Sequence, residues 1–226
     1  MTATASDGAR WITLEGVEGS GKSTQLRRLS ERLRAAGIDV AVTREPGGTP
    51  IGARIRSLLL KSDGPPINSL TELLLYTADR AQHLTEVILP ALEGGETVLC
   101  DRFLDATLAY QGYGRGLGSG CVLDLHRQPP LDRRPDRTLL FDIDAAVGLE
   151  RARERNRAAG LDVTEGRFED EAVEFHERVR AGYLELAAAD AQRFRIIDAS
   201  DTLDRVERSV LTALADWWPG LDEVER

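Results

Sequence analysis

A doubly wound α/β fold, five parallel strands with helices on both faces, is what this 226-residue sequence predicts. Three observations carry the prediction. Short β-type runs alternate with helical patterns along the whole chain, as they do in strand–helix–strand units. Several of the runs are nearly all apolar, as strands are when helices cover both sheet faces. Three of them end in charge: Glu15 after the first, Arg44-Glu45 after the second and Asp101-Arg102 after the third. Open α/β sheets bind their ligands beyond the carboxyl ends of the strands, so these side chains share a candidate rim.

The elements follow in order. Residues 11–15 (W-I-T-L-E) form the first strand, and residues 22–36 a helix with Leu26, Leu29 and Leu33 on one face. Gly37 stands where a left-handed C-terminal cap belongs. The second strand spans 38–43, and helices are expected over 51–60 and 69–92, the longer one broken near Ala81. Strands at 97–100, 138–143 and 194–197 alternate with helices at 106–112, 145–155, 169–188 and 202–217. Residues 61–68 and 156–167 look like irregular loops. No internal repeat or linker divides the chain, so residues 10–226 read as a single domain behind a disordered tail at 1–9. That tail lacks the basic and apolar stretches of a signal peptide.

Composition narrows the function. With 42% hydrophobic and 30% charged residues, this is a globular chain, and no apolar run approaches the roughly 20 residues that span a bilayer. A cytoplasmic protein without membrane partners is expected. Cys100 and Cys121 make neither a disulfide framework nor a zinc pattern. A net charge of −9 argues against broad nucleic-acid binding. Any anionic ligand must be small and held by local clusters of arginine.

Only two lysines accompany twenty-seven arginines, and one of them, Lys22, closes a glycine loop. Gly16-Val17-Glu18-Gly19-Ser20-Gly21-Lys22-Ser23 fits G-x-x-x-x-G-K-[ST], set between a strand and a helix as a phosphate-binding P-loop requires. Main-chain amides from this loop through Thr24 would hold ATP phosphates at a helix N-terminus. Lys22 would bridge the β- and γ-phosphates, while Ser23, with Asp101 behind it, would serve Mg²⁺. No Asn-Lys-x-Asp for guanine occurs, and Asp101 is followed by Arg102 instead of a second acid. The acceptor is therefore expected to be a phosphate-bearing small molecule and not water.

These residues belong to a longer series. Glu15-Gly16-x-Glu18-Gly19-x-Gly21-Lys22-Ser23, Thr43-Arg44-Glu45-Pro46-Gly47-Gly48-Thr49, Tyr76-Thr77-Ala78-Asp79-Arg80, Asp101-Arg102-Phe103 and Ala109-Tyr110-Gln111-Gly112-x-Gly114-Arg115-Gly116 together resemble the signature motifs of bacterial thymidylate kinases, in family order. The resemblance implies a P-loop, nucleoside monophosphate kinase-like fold. It implies transfer of the ATP γ-phosphoryl group to dTMP, with Mg²⁺, in a homodimer of dTTP synthesis. By position, Arg102 would grip the dTMP phosphate with Arg44 nearby, and Glu45 would order the metal and acceptor region. Glu15 would lie on the substrate side. Tyr76 would stack on thymine, and Arg80 would point to its O4 edge. Thr107 and Gln111 would read the remaining polar edge, and Tyr110 would crowd the sugar 2′ position. The resemblance also implies a cis Glu45-Pro46 peptide.

Arg151, Arg153, Arg155 and Arg157 alternate towards a lid expected at about 151–168. Helical neighbours four apart share a face and those two apart do not, so Arg151 and Arg155 point one way and Arg153 and Arg157 the other. The phosphate loop offers Glu18 and no additional cation, so the lid should supply the charge, from Arg155 first and Arg153 next. Two departures from relatives stand out: a longer lid loop ending in Gly166-Arg167-Phe168-Glu169, and Ala106 where serine is common. Leu70, Leu73, Leu74, Ala78, Ala81 and Val87 form an apolar stripe suited to a dimer face or to core packing.

Overall fold

A computed structural model describes residues 8–61, 65–159 and 166–224 of the chain. Its sheet has five strands, β1 (Trp11–Glu15), β2 (Val40–Arg44), β3 (Thr97–Asp101), β4 (Arg137–Asp142) and β5 (Phe194–Asp198). They run parallel in the order β2-β3-β1-β4-β5. The central strand β1 is buried along its whole length, while the edge strands β2 and β5 alternate with solvent. Apolar runs thus mark the centre of the sheet and mixed runs its edges. Register brings the three charged strand ends level, pairing Leu14 with Asp101 and Asp101 with Arg44. The rim expected from the sequence is formed.

Nine α-helices cover the sheet among the described residues: α1 (Lys22–Ala35), α2 (Pro50–Leu60), α3 (Ser69–His83), α4 (Leu89–Glu93), α5 (Leu104–Thr107), α6 (Ser119–Leu125), α7 (Ala145–Ala159), α8 (Val173–Ala189) and α9 (Leu203–Ala213). Helix α1 buries Leu26, Leu29 and Leu33, and Gly37 ends it at φ 79°. Helix α2 starts with Pro50 after Thr49, whose hydroxyl accepts the Gly52 amide at 2.9 Å. Asn68 caps α3 in the same way.

The helical boundaries differ from expectation in ways the residues explain. The long helix does not break at Ala81; it widens into a π-helical stretch over Leu84–Ile88. Pro90 follows two residues later and has no N–H to return to the preceding turn. A second π-helical stretch, Leu108–Gly114, extends α5. A side chain on Gly114 would come within 2.7 Å of the Phe175 ring, so the glycine admits α8 against that turn. Helix α6 was not foreseen because it is only seven residues long and follows Gly116 and Gly118. Helix α7 runs past Arg155 to Ala159, and α8 begins at Val173 instead of 169, since Phe168 and Glu169 turn inward and are buried. Helix α9 ends at Ala213, short of 217.

Ile51 and Leu58 on α2, with Leu70 and Leu74 on α3, are between 47% and 61% exposed. Leu73, part of the anticipated stripe, instead belongs to the core. Among the described residues, no helix is long and apolar enough to cross a membrane. Most of the 1–9 tail and residues 160–165 of the lid lie outside the described residues.

Candidate active site

A cleft of about 610 Å³ opens beyond the carboxyl ends of β1, β2 and β3. Residues 18–24 of the glycine loop form one wall. The loop is pressed against its surroundings at two glycines with positive φ. A side chain on Gly16 would sit 2.4 Å from the Phe141 carbonyl oxygen, and one on Gly19 only 1.9 Å from that of Gly148. Backbone meets backbone there, so no side chain fits at either position, and the loop lies against the cleft where α1 begins.

Lys22 curls beneath this loop. Its Nζ donates to the carbonyls of Gly16 at 3.0 Å and Val17 at 2.8 Å and to Ser20 Oγ at 3.1 Å. Burial, with Arg102 nearby, brings its pKa down to about 8. Ser23 Oγ donates to Asp101 Oδ2 at 2.9 Å, so loop and β3 present two oxygen groups together. Among the described residues, no group of three His, Cys, Asp or Glu side chains could enclose a metal. A hydroxyl beside one carboxylate is instead the hard, incomplete donor set that suits Mg²⁺, an ion that keeps water and phosphate ligands.

The facing wall is built around Arg102, whose φ of 69° makes it the sole non-glycine residue with positive φ among those described. The turn is pinned by Arg102 N to Leu14 O at 3.1 Å and by Phe103 N to Glu15 Oε1 at 2.7 Å. Arg102 donates to Glu18 Oε1 at 2.7 Å, Tyr110 OH at 3.2 Å and Tyr183 OH at 3.3 Å. Burial alone would raise the Glu18 carboxyl; Arg102 and Lys22 overcome it and hold its pKa at about 2. An anion reaching Arg102 must therefore compete with Glu18.

Arg44, Glu45, Tyr76, Thr107, Tyr110 and Gln111 also line the cleft. Glu45-Pro46 is cis. Arg80 and Glu15 do not reach the cleft. Arg80 is fully buried and donates to Glu45, to Thr107 Oγ1 at 2.8 Å and to His126 Nε2 at 2.7 Å. It shares a helical face with Tyr76, but its Nη2 is held by the two cleft residues Glu45 and Thr107 and its Nη1 by His126, while its buried Nε has no partner among the described residues. Glu15 is also fully buried. It accepts from Phe103 and from Tyr183 OH, and burial, with Asp105 adding, lifts its pKa to about 8. Both residues position the wall; neither presents atoms to the cleft.

Helix α7 brings Arg151 and Arg155 to the opening, and Arg153, offset by two residues on the helix, does not line it. Arg153 binds the Glu169 carbonyl at 2.8 and 3.2 Å. Arg155 donates to Asn156 Oδ1 at 3.1 and 3.2 Å and stands 3.6 Å from Glu169 Oε1. Arg157 pairs with Glu150 at the surface. Phe168 and Glu169 of the lid motif line the cleft as well, with Arg56 and Asn156, which were not singled out by the sequence. Glu72 and Tyr183, which support the walls, were missed too. For Glu72 a signal existed: it precedes Tyr76 by four residues and so shares its face.

Comparison with known proteins identifies the family. The family model described as thymidylate kinase matches residues 14–210. A curated thymidylate kinase of Desulfovibrio desulfuricans is 55% identical over 190 residues, covering 84% of this chain and 88% of the relative. Another, from Solidesulfovibrio magneticus, is 52% identical over 88% of this chain and 96% of its own length. A crystal structure of thymidylate kinase from Ehrlichia chaffeensis superposes with a TM-score of 0.71 at 33% identity, over 92% of this chain and 99% of that one. The parallel sheet and its loop thus have the P-loop, nucleoside monophosphate kinase-like architecture, and the chain belongs to the thymidylate kinase family.

Proposed function

We propose that the cleft holds two nucleotides with their phosphates facing: ATP in the glycine loop and dTMP against Arg102. As a thymidylate kinase family member, the chain moves the ATP γ-phosphoryl group to dTMP, giving ADP and dTDP for nucleotide biosynthesis. The observation that carries the arrangement is that the loop and Arg102 face each other across one cleft, joined at rest through Glu18.

In this reading the arriving dTMP phosphate takes the guanidinium from Glu18, with Arg44 beside it. A phosphate oxygen of dTMP forms a bond to the γ-phosphorus while the bond to the β–γ bridging oxygen breaks. The released charge stays on the β-phosphate of ADP, where Lys22 and the amides of residues 17–23 compensate it. Mg²⁺, held by Ser23 with Asp101 behind it, would neutralise phosphate charge when bound. Tyr76 covers the thymine ring, Thr107 and Gln111 read its polar edge, and Tyr110 crowds the sugar. Glu45 orders the acceptor region; Arg80 acts through Glu45 and Thr107, and Glu15 through Tyr183.

Residues 10–226 act as one domain in which about 151–168 close over ATP and exclude water. The exposed apolar face of α2 and α3 supports a homodimer, and the protein works in the cytoplasm. A coupled ADP-release assay with ATP, Mg²⁺ and a panel of dTMP, dUMP, dCMP, AMP and GMP tests the reading. Turnover is expected to be greatest with dTMP; a preference for a purine would overturn it.

Two further outcomes follow from the geometry. Arg155→Ala should lower kcat by about 10²–10³, the usual cost of removing one transition-state donor. Arg153→Ala should stay within a few fold, because its guanidinium is tied to the Glu169 carbonyl and does not line the cleft. Saturating kinetics on both variants check this.

The second concerns pH. Lys22 titrates at about 8 in the free protein, and bound phosphates raise that value. Below pH 8 the ammonium is already present; above it, ATP must bring a proton in. ATP affinity should therefore fall as pH rises above 8. Calorimetry of ATP binding at pH 8.5, in buffers of different ionisation heat, should show net proton uptake. Proton release would contradict the assignment.

A further inference from the structure

The Gln111 side chain ends in an amide whose oxygen only accepts and whose nitrogen only donates hydrogen bonds. Which end faces the cleft decides which base edge it can read. We propose that Glu72 is a positioning residue that holds the Gln111 nitrogen inward and leaves its oxygen facing the cleft, as an acceptor selecting pyrimidines that carry an N3–H. The inference rests on the reading of this wall as the base site.

Glu72 is fully buried, yet every contact it makes is a donor. Its Oε1 accepts Gln111 Nε2 at 2.8 Å and Arg115 Nε at 3.1 Å. Its Oε2 accepts Arg115 Nη2 at 3.2 Å and Arg167 Nη2 at 2.7 Å. The two guanidiniums are themselves fixed, Arg115 by Glu171 at 2.5 Å and Arg167 by the Leu59 carbonyl at 2.9 Å. A carboxylate accepts and cannot donate, so the neighbouring amide can turn only its NH₂ towards it. The opposite rotamer would face two buried oxygens with no proton between them, a cost that protein interiors avoid. Gln111, itself 1% exposed, still lines the cleft, and its remaining polar atom is the carbonyl oxygen. Thymine and uracil present an N–H at ring position 3. Cytosine presents a bare nitrogen there, and two lone pairs would meet.

Four chain segments thus meet around this carboxylate and its two arginines: α3, the π-helical stretch with Arg115 beyond it, the end of α2 through Arg167, and residues 167–171 after the lid. Base recognition and the base of the lid share a support.

The test uses dUMP and dCMP, which have the same sugar and phosphate, both lack the 5-methyl group, and differ only on this edge. In Glu72→Gln the new carbonyl is best placed where Nη groups of Arg115 and Arg167 meet. Its NH₂ then falls against Gln111 and Arg115 Nε; Arg115 keeps its Nη2 bond to the carbonyl, and Gln111 must turn over and offer a donor to the cleft. The wild type is expected to favour dUMP over dCMP in kcat/KM by about 10² or more, and Glu72→Gln to shrink that ratio by about tenfold or more. An unchanged ratio, in a variant that folds and binds ATP normally, would reduce Glu72 to a structural support and overturn the inference. A wild type that uses the two equally would overturn the underlying reading instead.

If Glu72→Gln does not fold, the wild-type amide decides. The Gln111 NH₂ signals, assigned by their loss in Gln111→Glu, should keep slow hydrogen exchange and nearly constant shifts on adding dTMP. A large dTMP-dependent change in both would place the nitrogen on the base and contradict the proposal.

Discussion

Arg102→Ala is expected to lower kcat/KM for dTMP by about 30- to 5,000-fold while leaving ATP affinity within a few fold. The range is what truncating one member of a buried, hydrogen-bonded charge pair costs, about 2–5 kcal/mol. Two effects place this variant near the upper end. The acceptor phosphate loses its guanidinium, and Glu18 loses the partner that neutralises it at 2.7 Å. A carboxylate then stands where an anion must arrive. The backbone should survive, because alanine bears the same Cβ strain at φ 69° as arginine and the pins from Leu14 and Glu15 remain. Arg102→Lys should recover part of the loss, as a point charge can meet the phosphate but cannot make the paired contacts of a guanidinium. Isothermal titration with ATP and with dTMP separately, beside steady-state rates, separates the two sites.

Lys22→Ala should reduce kcat/KM for ATP by about 10³ or more. The side chain contributes twice: as the cation expected on the β- and γ-phosphates, and as the donor to the Gly16 and Val17 carbonyls in the resting loop. Removing it leaves those carbonyls without that donor as well as the transition state without its charge. Lys22→Arg is not expected to rescue. The position is 7% exposed, beneath a loop already in backbone contact with β4 and α7, and a guanidinium is too large for it. Single-turnover rates with dTMP at saturation report the chemical loss apart from the binding loss.

The frame of the fold was legible because it follows from local rules. Apolar runs marked the strands, Gly37 marked the end of α1, and charge at three strand ends marked the rim. Register then did what parallel pairing requires, setting Arg44, Asp101 and Leu14 side by side. The glycine loop was legible for a similar reason: its chemistry lies in eight consecutive residues. Arg151 and Arg155 were separated from Arg153 by helical period alone, and the structure turns Arg153 onto the Glu169 carbonyl.

What could not be read was depth. Arg80 and Glu15 carry the motifs of a substrate site, but motif spacing does not tell whether a side chain reaches a wall or stands behind it. Arg80 is covered because Glu45, Thr107 and His126 come from three other segments to bind its two Nη groups. Glu72 was overlooked for the same reason, since its partners lie 39, 43 and 95 positions away. The π-helical stretches were hidden because their cause, in Pro90 and in the packing of α8 on Gly114, is a departure from the period used to find helices.

The most direct check is a crystal structure of the protein with dTMP, Mg²⁺ and an ATP analogue that cannot be hydrolysed. The account predicts the analogue's β-phosphate among the amides of residues 17–23 and the thymidylate phosphate on Arg102, with that guanidinium released from Glu18. A thymidylate bound elsewhere, with Arg102 still paired to Glu18, would contradict it.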